Sequence, residues 1–497
     1  AGETNQGENG IAIGDNAGET NQGQEAIAIG QWAGETTQGA NAVAIGKAAG
    51  ETTQGANAIA IGEDAGQNNQ GTGGIAIGYE AGETSQGTGT IAIGSTAGTT
   101  TQGEDAVAVG TNAGKTTQGT DAVAIGKDAG ETTQGAYGIA LGTQAGETSQ
   151  GVQAVSLGAR AGQTTQGNNA TAIGADAGNS SQGANATAIG GGSAQYSQGE
   201  GAVAIGYLAG SDTQSLESIA IGKQAGQGAY AVATYVSGGV ASTVMVVDDT
   251  TDIVVGMRVT GTGFIGSLEQ QRRVVSVDDA TTVTLDLVAN NGTPSGTITF
   301  KSAQDYYAVA IGSGAGQTSQ GPGGVAIGYG AGKVNQVQGI SIVSRAGETQ
   351  QGLGAVAVGV DTGRNNQGTH SVAVGKWAGE DNQGQEGIAI GYFAGQTSQG
   401  EDSIAIGKEA GKTNQAARSI ILNATNSALD TTQTDSLIIK PIRSAGGTHA
   451  LEYDPTTGEV TYDTLGGGGS GLQSRSTATG TTSSLADAAQ TDLDITG

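Results

Sequence analysis

Few residues in this chain could carry covalent or acid–base chemistry. The 497 residues include 2 histidines and no cysteine, which excludes thiol nucleophiles, disulfides and thiolate metal sites. His370 and His449 stand far apart, in regions of different character. Carboxylates are plentiful, 46 against 19 Lys and Arg, for a formal net charge of −27. They recur at a fixed spacing, as Glu3, Glu19, Glu35, Glu51, Glu83, Glu131 and Glu147. General acid–base work needs two carboxyls in unlike environments, and a repeated column does not provide that. A column of carboxylates could gather divalent cations weakly, but no GGxGxD calcium signature occurs. The glycines form no Walker or dinucleotide loop. The chain therefore reads as a non-enzyme with no cofactor and no metal site. Its charge repels nucleic acid and anionic lipid, and no run of about 18 apolar residues is present to span a membrane.

The fixed spacing of the carboxylates belongs to a repeat of the whole chain. Its period is 16, with the consensus A-G-E-T-T-Q-G-x-x-A-[IV]-A-I-G-x-x. Frames run from Ala1 to Ala209, a fifteenth opens at Ala225 and is interrupted, and the pattern resumes at the AVAIG of Ala308–Gly312. With 93 Gly, 4 Pro and 3 Phe, against an average Gly usage of about 7%, a thick conventional core is excluded. Gly at positions 7 and 14 marks two turns per repeat, and the β-branched residues at 11 and 13 mark a strand. Two turns and two short strands in each repeat make a β-solenoid, an all-β stack of coils about 4.8 Å apart. About 22 coils give a rod of roughly 100 Å.

Alternation along the strand sets the expected packing. Ile59 and Ile61, Ile75 and Ile77 share one face and are expected to fill a narrow core. Gln38, Gln54, Gln70 and Gln86 occupy position 6 and are expected to form a structural ladder of amides along the axis. Ala44, Ala60, Ala76 and Ala92 lie between the aliphatic residues, and that position accepts only Ala or, at Ser156, Ser in this stretch. No charged residue ever appears there, so the face is closely packed. One thin coil barely offsets its ordering entropy. The Ala face is therefore expected to pack on other copies of the chain.

The AVAIG and AIAIG units resemble the head repeats of trimeric autotransporter adhesins, the YadA-like heads. The closest copies are Ser403-Ile404-Ala405-Ile406-Gly407 and Ser371-Val372-Ala373-Val374-Gly375. The resemblance covers 1–228 and 306–425 and implies a left-handed parallel β-roll, three rolls side by side in a homotrimer. The period here is slightly longer than in typical heads, and position 10 is rarely Ser. No heptad stalk or membrane anchor follows in this sequence, and the chain opens on Ala1 inside a repeat, which points to a fragment or a processed chain. Residues 436–464 and the stretch STATGTTSSLADAAQTDLDITG resemble segments of structural proteins of tailed phages. The resemblances together imply a virion fibre or spike that attaches to a host surface, in contact with other virion or appendage proteins. The alternative is a bacterial surface adhesin of the autotransporter type.

The domain organisation follows. Repeats occupy 1–228 and 306–425, with a small all-β module inserted at 229–305, where apolar and polar residues alternate. A capping and connecting region spans 426–465, a Gly-rich linker 466–471, and an incomplete β-domain opens at 472–497. Phe264 and Phe300 are expected in the core of the insert and Arg272 and Arg273 on its strand edge. Variable turn positions 15 and 16 carry Trp32, Tyr79, Tyr207, Tyr329, Trp377, Tyr392 and Phe393. Of these, Trp32, Trp377, Tyr392 and Phe393 are the candidates for contact with a host-surface glycan or protein, since exposed aromatic rings can stack on sugars.

Overall fold

The computed structural model describes residues 1–228, 230–237, 244–247, 258–262, 274–285, 295–301, 304, 307–442, 449–454, 456–458 and 460–464. Every regular element among them is a strand. The chain divides into two compact units, with the boundary between Pro441 and Ile442.

The first unit is a parallel β-solenoid. Positions 11–13 of successive coils form one sheet of 23 strands, from Ile11–Ile13 to Leu437–Lys440. Most strands pair with their copy sixteen residues on, so like meets like: Ile59 with Ile75, Ala60 with Ala76, Ile61 with Ile77. Positions 5 and 6 form the facing wall, as in Thr117–Gln118 beside Thr133–Gln134. Where that wall has no strand, single bridges between glutamines carry it on, as in Gln54–Gln70 and Gln70–Gln86.

The interior is the reverse of the expected one. In the coil opened by Ala49, the alanines Ala49, Ala58 and Ala60 are 0% exposed and Gln54 is 1% exposed, while Ile61 is 37% exposed and Ile59 is half-buried. Ile75 and Ile77 are likewise only half-buried, and Ala44, Ala76 and Ala92 are 0% exposed within their own chain. The reason is cross-section. The two walls lie so close that a Cβ added at Gly66 would sit 2.9 Å from Gln70 Cδ and 3.4 Å from Ala60 Cβ. That gap takes methyl groups and one planar amide and has no room for an Ile side chain. The alanines are confined to small size by their own coil rather than by a neighbouring copy.

Position 14 shows why the chain turns there on glycine. Gly62 has φ +134°, and a Cβ would come within 2.5 Å of the carbonyl oxygen of Gly78 in the next coil. Two coils depart from this rule: the closing one has Asn423 there, and an earlier one has Val343 at φ 90°, a conformation that β-branched residues avoid.

The insert leaves one coil and returns to it in register. Gly228 ends the described run, and Gln304 re-enters the glutamine column between Gln214 and Gln320. Strand Ile219–Ile221 then pairs directly with Val309–Ile311. The coil therefore resumes four residues before the Ala308 read from the motif. The insert's strands form a six-stranded sheet with Arg258–Thr262 and Val274–Val277 at its edges. Phe300 lies in the strand Ser295–Lys301, whereas Phe264, Arg272 and Arg273 lie outside the described residues.

The roll closes on a change of filling. Ile421 takes the Ala place of position 12 and is 0% exposed, with Leu429 at 9%. Thr431 stands where the glutamine would be, its carbonyl accepting from Ala416 N. Two larger apolar side chains thus replace the amide that the last coil lacks. In the second unit His449–Tyr453 and Val460–Thr464 pair as an antiparallel hairpin. Residues 466–497, the linker and the opening of a further β-domain, lie outside the described residues.

Candidate functional site

Three columns running along the solenoid carry its polar and apolar chemistry. The first is internal. Gln54 Nε2 donates to the Val43 carbonyl at 2.8 Å, to Ala58 O at 3.4 Å and to Gln70 Oε1 at 3.1 Å. The amide therefore bridges the two walls and the next coil at once. The same side-chain bond runs on through Gln102, Gln118, Gln134, Gln150 and Gln166. Gln38 makes only the two carbonyl bonds, to Ile27 and Ala42. Where position 12 is Ser, its hydroxyl joins the column: Ser156 Oγ donates to Gln166 Oε1 at 2.7 Å and Ser341 Oγ to Gln351 Oε1 at 2.8 Å. These buried amides are inaccessible to any ligand, so their role is to hold the coil together.

The second column is external and apolar. Positions 11 and 13 expose Ile, Val or Leu in coil after coil, with Ile93 and Ile125 at 37% and Ile139 and Leu141 at 42% and 40%. Position 11 turns polar only at Thr171 and Thr187. Two adjacent apolar stripes along a 23-stranded sheet far exceed the scattered apolar residues normal on a soluble surface. Sequence reasoning puts these aliphatic residues in the core, and the structure puts them on the outer face. The available signal is Ser156 and Ser341: a hydroxyl in the Ala column fits an interior that already contains a glutamine.

The third column is the turn ridge at positions 15, 16 and 3. It is strongly acidic near the N-terminal end. Burial raises the Glu35 carboxyl above its ordinary range, and Glu51 and Glu19 on either side add to this. Glu83 is raised by burial and by the Glu80 and Asp64 charges. Elsewhere on the ridge, cations offset the acids: Lys47 meets Glu63 at 2.8 Å and Arg160 Nε meets Asp176 Oδ1 at 2.6 Å. Among the described residues no three His, Cys, Asp or Glu side chains are grouped to hold a metal ion. His370 is exposed in a turn of the roll, and His449 lies in the second unit.

The aromatic candidates sit on the same ridge but not alike. Trp32 is half-buried and stacks on no other ring among the described residues. Trp377 stacks on Phe393 of the next coil, centroids 4.6 Å apart and planes within 8°. Lys376 Nζ lies 3.7 Å over the Trp377 ring, and Lys412 Nζ lies 4.6 Å from the Phe393 centroid. A stacked ring leaves no space for an ammonium on the same side, so both faces of Trp377 are occupied. Tyr392 packs obliquely on both rings and is 41% exposed. The cluster is a self-satisfied stack, held by π–π and cation–π contacts.

A family model described as the YadA head domain repeat matches two stretches of the chain, residues 85–113 and 383–410. No curated protein and no solved structure matches it. The chain thus carries two copies of a YadA head repeat within a parallel β-solenoid. Such repeats suggest an adhesin-type, surface-exposed protein with a structural rather than a catalytic role.

Proposed function

We propose that this chain is the extended β-roll of a trimeric surface adhesin, and that the columns at positions 11 and 13 are where three copies meet. The observation that supports this reading is the doubled apolar stripe, which a lone roll would leave in water. Burying apolar area at about 25 cal/mol per Å² along such a stripe is the main gain open to a coil whose interior holds only alanine and glutamine. The alanine column is not offered as the interface, because its side chains are already enclosed within their own coil. The adhesin reading now stands ahead of the virion fibre. The fibre reading rests on the C-terminal resemblance alone, and the YadA-type match lies in the roll.

Sedimentation equilibrium tests the assembly. A mass near three times 48.3 kDa supports it, and a monodisperse monomer overturns it. Surface display of the full gene product, with adhesion of beads or cells coated by it, tests the adhesin role. Recovery of the protein only in purified virus particles would favour the fibre.

A further inference from the structure

The turn ridge is filled by side chains at position 16 in most coils, but two neighbouring coils after the insert have glycine there. Gly314 and Gly330 leave a notch of about 120 Å³. Tyr329 stands at its side, 66% exposed, and its ring touches no other ring among the described residues. Two acceptors face the floor. Gln317 Oε1 lies 3.7 Å from the place a Gly314 Cβ would take, and Glu348 Oε1 3.9 Å from that of Gly330. Arg364 Nε holds the other Glu348 oxygen, Oε2, at 2.7 Å, so Oε1 is fixed toward the opening. Lys333 also lines the notch and has no ion-pair partner among the described residues.

We propose that this notch binds the terminal neutral hexopyranose of a surface glycan. A free tyrosine face offers an apolar platform to the C–H side of a sugar ring. Fixed carboxylate and amide oxygens accept from its hydroxyls, and an ammonium donates to them. Glu348 and the net charge of −27 disfavour an anionic sugar. The Trp377 cluster carries aromatic rings too, but its faces are occupied by Phe393 and Lys376. The site rests on the adhesin reading only for its biological use, since sugar binding is measured separately.

The test is saturation-transfer NMR on the full chain with methyl glycosides of glucose, galactose and mannose and with N-acetylglucosamine. The filling variant is Gly330→Arg. It should fold, because Arg345 occupies position 16 of the next coil at φ 53°, and a Gly330 Cβ meets only ordinary contacts. At least one glycoside should show transfer that falls at least tenfold in Gly330→Arg and in Tyr329→Ala. Tyr207→Ala, at a ridge tyrosine 58% exposed but packed over Gly191, should leave it unchanged. No transfer from any of the sugars, or transfer that survives Gly330→Arg, overturns the site. Adhesion that persists in Gly330→Arg overturns only the notch as its basis. Sugar binding in a chain that adheres to nothing overturns only the adhesin reading.

Discussion

The roll before the insert and the roll after it share one interior and differ in one wall. In both, alanines at positions 1 and 12 and the glutamine at position 6 are enclosed, as in Ala113, Ala124 and Gln118 and again in Ala378, Ala389 and Gln383. The wall at positions 4–6 is built in two ways. Before the insert, position 5 is mostly Thr or Ser and pairs with its copy, as Thr117 does with Thr133. After the insert, position 5 is Ser, Asn or Gln with positive φ, as in Ser319, Asn335, Gln350, Asn366 and Asn382. The pairing then skips it, Asn365 meeting Asp381 and Gln367 meeting Gln383. Asn tolerates the left-handed region and β-branched Thr resists it. Asn69, before the insert, makes the same switch at φ 57°. The insert departs after Gly228 and returns at Gln304, so it enters through this same wall. Before the closing coils the filling of the coil varies only between Ala and a small hydroxyl residue at positions 1 and 12, and the wall at positions 4–5 is where the fold accepts change.

Substitutions that ignore this division should have the largest effects, and equally in both rolls. Ala60→Lys or Ala373→Lys buries an unpaired ammonium, which should cost several kcal/mol and unfold the surrounding coils. Limited proteolysis would show new cleavage at either site. Next, Gln134→Ala removes donors to Val123 O, Gly138 O and Gln150 Oε1. It should cost about 3 kcal/mol, and Gln383→Ala should match it in thermal melting. A large difference between the two would mean that the interiors are not equivalent.

Smaller effects should separate the rolls. Asn366→Thr forces a β-branched residue into the left-handed region and should cost about 1–2 kcal/mol. The reverse change, Thr133→Asn, should lie within about 0.5 kcal/mol of neutral in the same denaturation measurement. Val343→Gly relieves the strained turn and should stabilise by about 1 kcal/mol. The smallest effect is electrostatic. A carboxyl whose folded pKa is raised stabilises the fold below its unfolded pKa, and that contribution is lost as pH rises through the folded value. Glu35 and Glu83 are of this kind. Glu35→Gln should therefore raise the melting temperature slightly at pH 7 and leave it unchanged near pH 3. Glu348→Gln, after the insert, loses the Arg364 pair and should lower it instead.

Much of this fold is legible in the sequence. Period, turns, strands and the glutamine column follow from residue spacing, because each coil repeats one set of local constraints. The Ala at position 12 reads as closely packed, and the structure sets it against its own coil rather than against a second copy. Hydropathy favours Ile inside and alternation cannot say which face is inside. Only the width of the coil decides, and that depends on the facing wall, where Gln54 must reach Val43 O. The return of the insert at Gln304 is not legible in the sequence, because one glutamine without its Ala-Ile-Ala context carries little signal. The notch is not legible either, because Gly314 and Gly330 look like the many other glycines until position 16 is seen to line the ridge.

The central claim is that alanine and glutamine lie inside and the aliphatic columns outside, where copies of the chain meet. The double variant Ile61→Glu, Ile93→Glu tests it most directly, since both residues are 37% exposed in the single chain. Sedimentation equilibrium, read with the far-ultraviolet circular dichroism of the same sample, should show a folded β-chain of about 48.3 kDa where the parent forms the trimer. An unfolded chain would place the isoleucines in the core, and an intact trimer would place the interface elsewhere; either result contradicts the account.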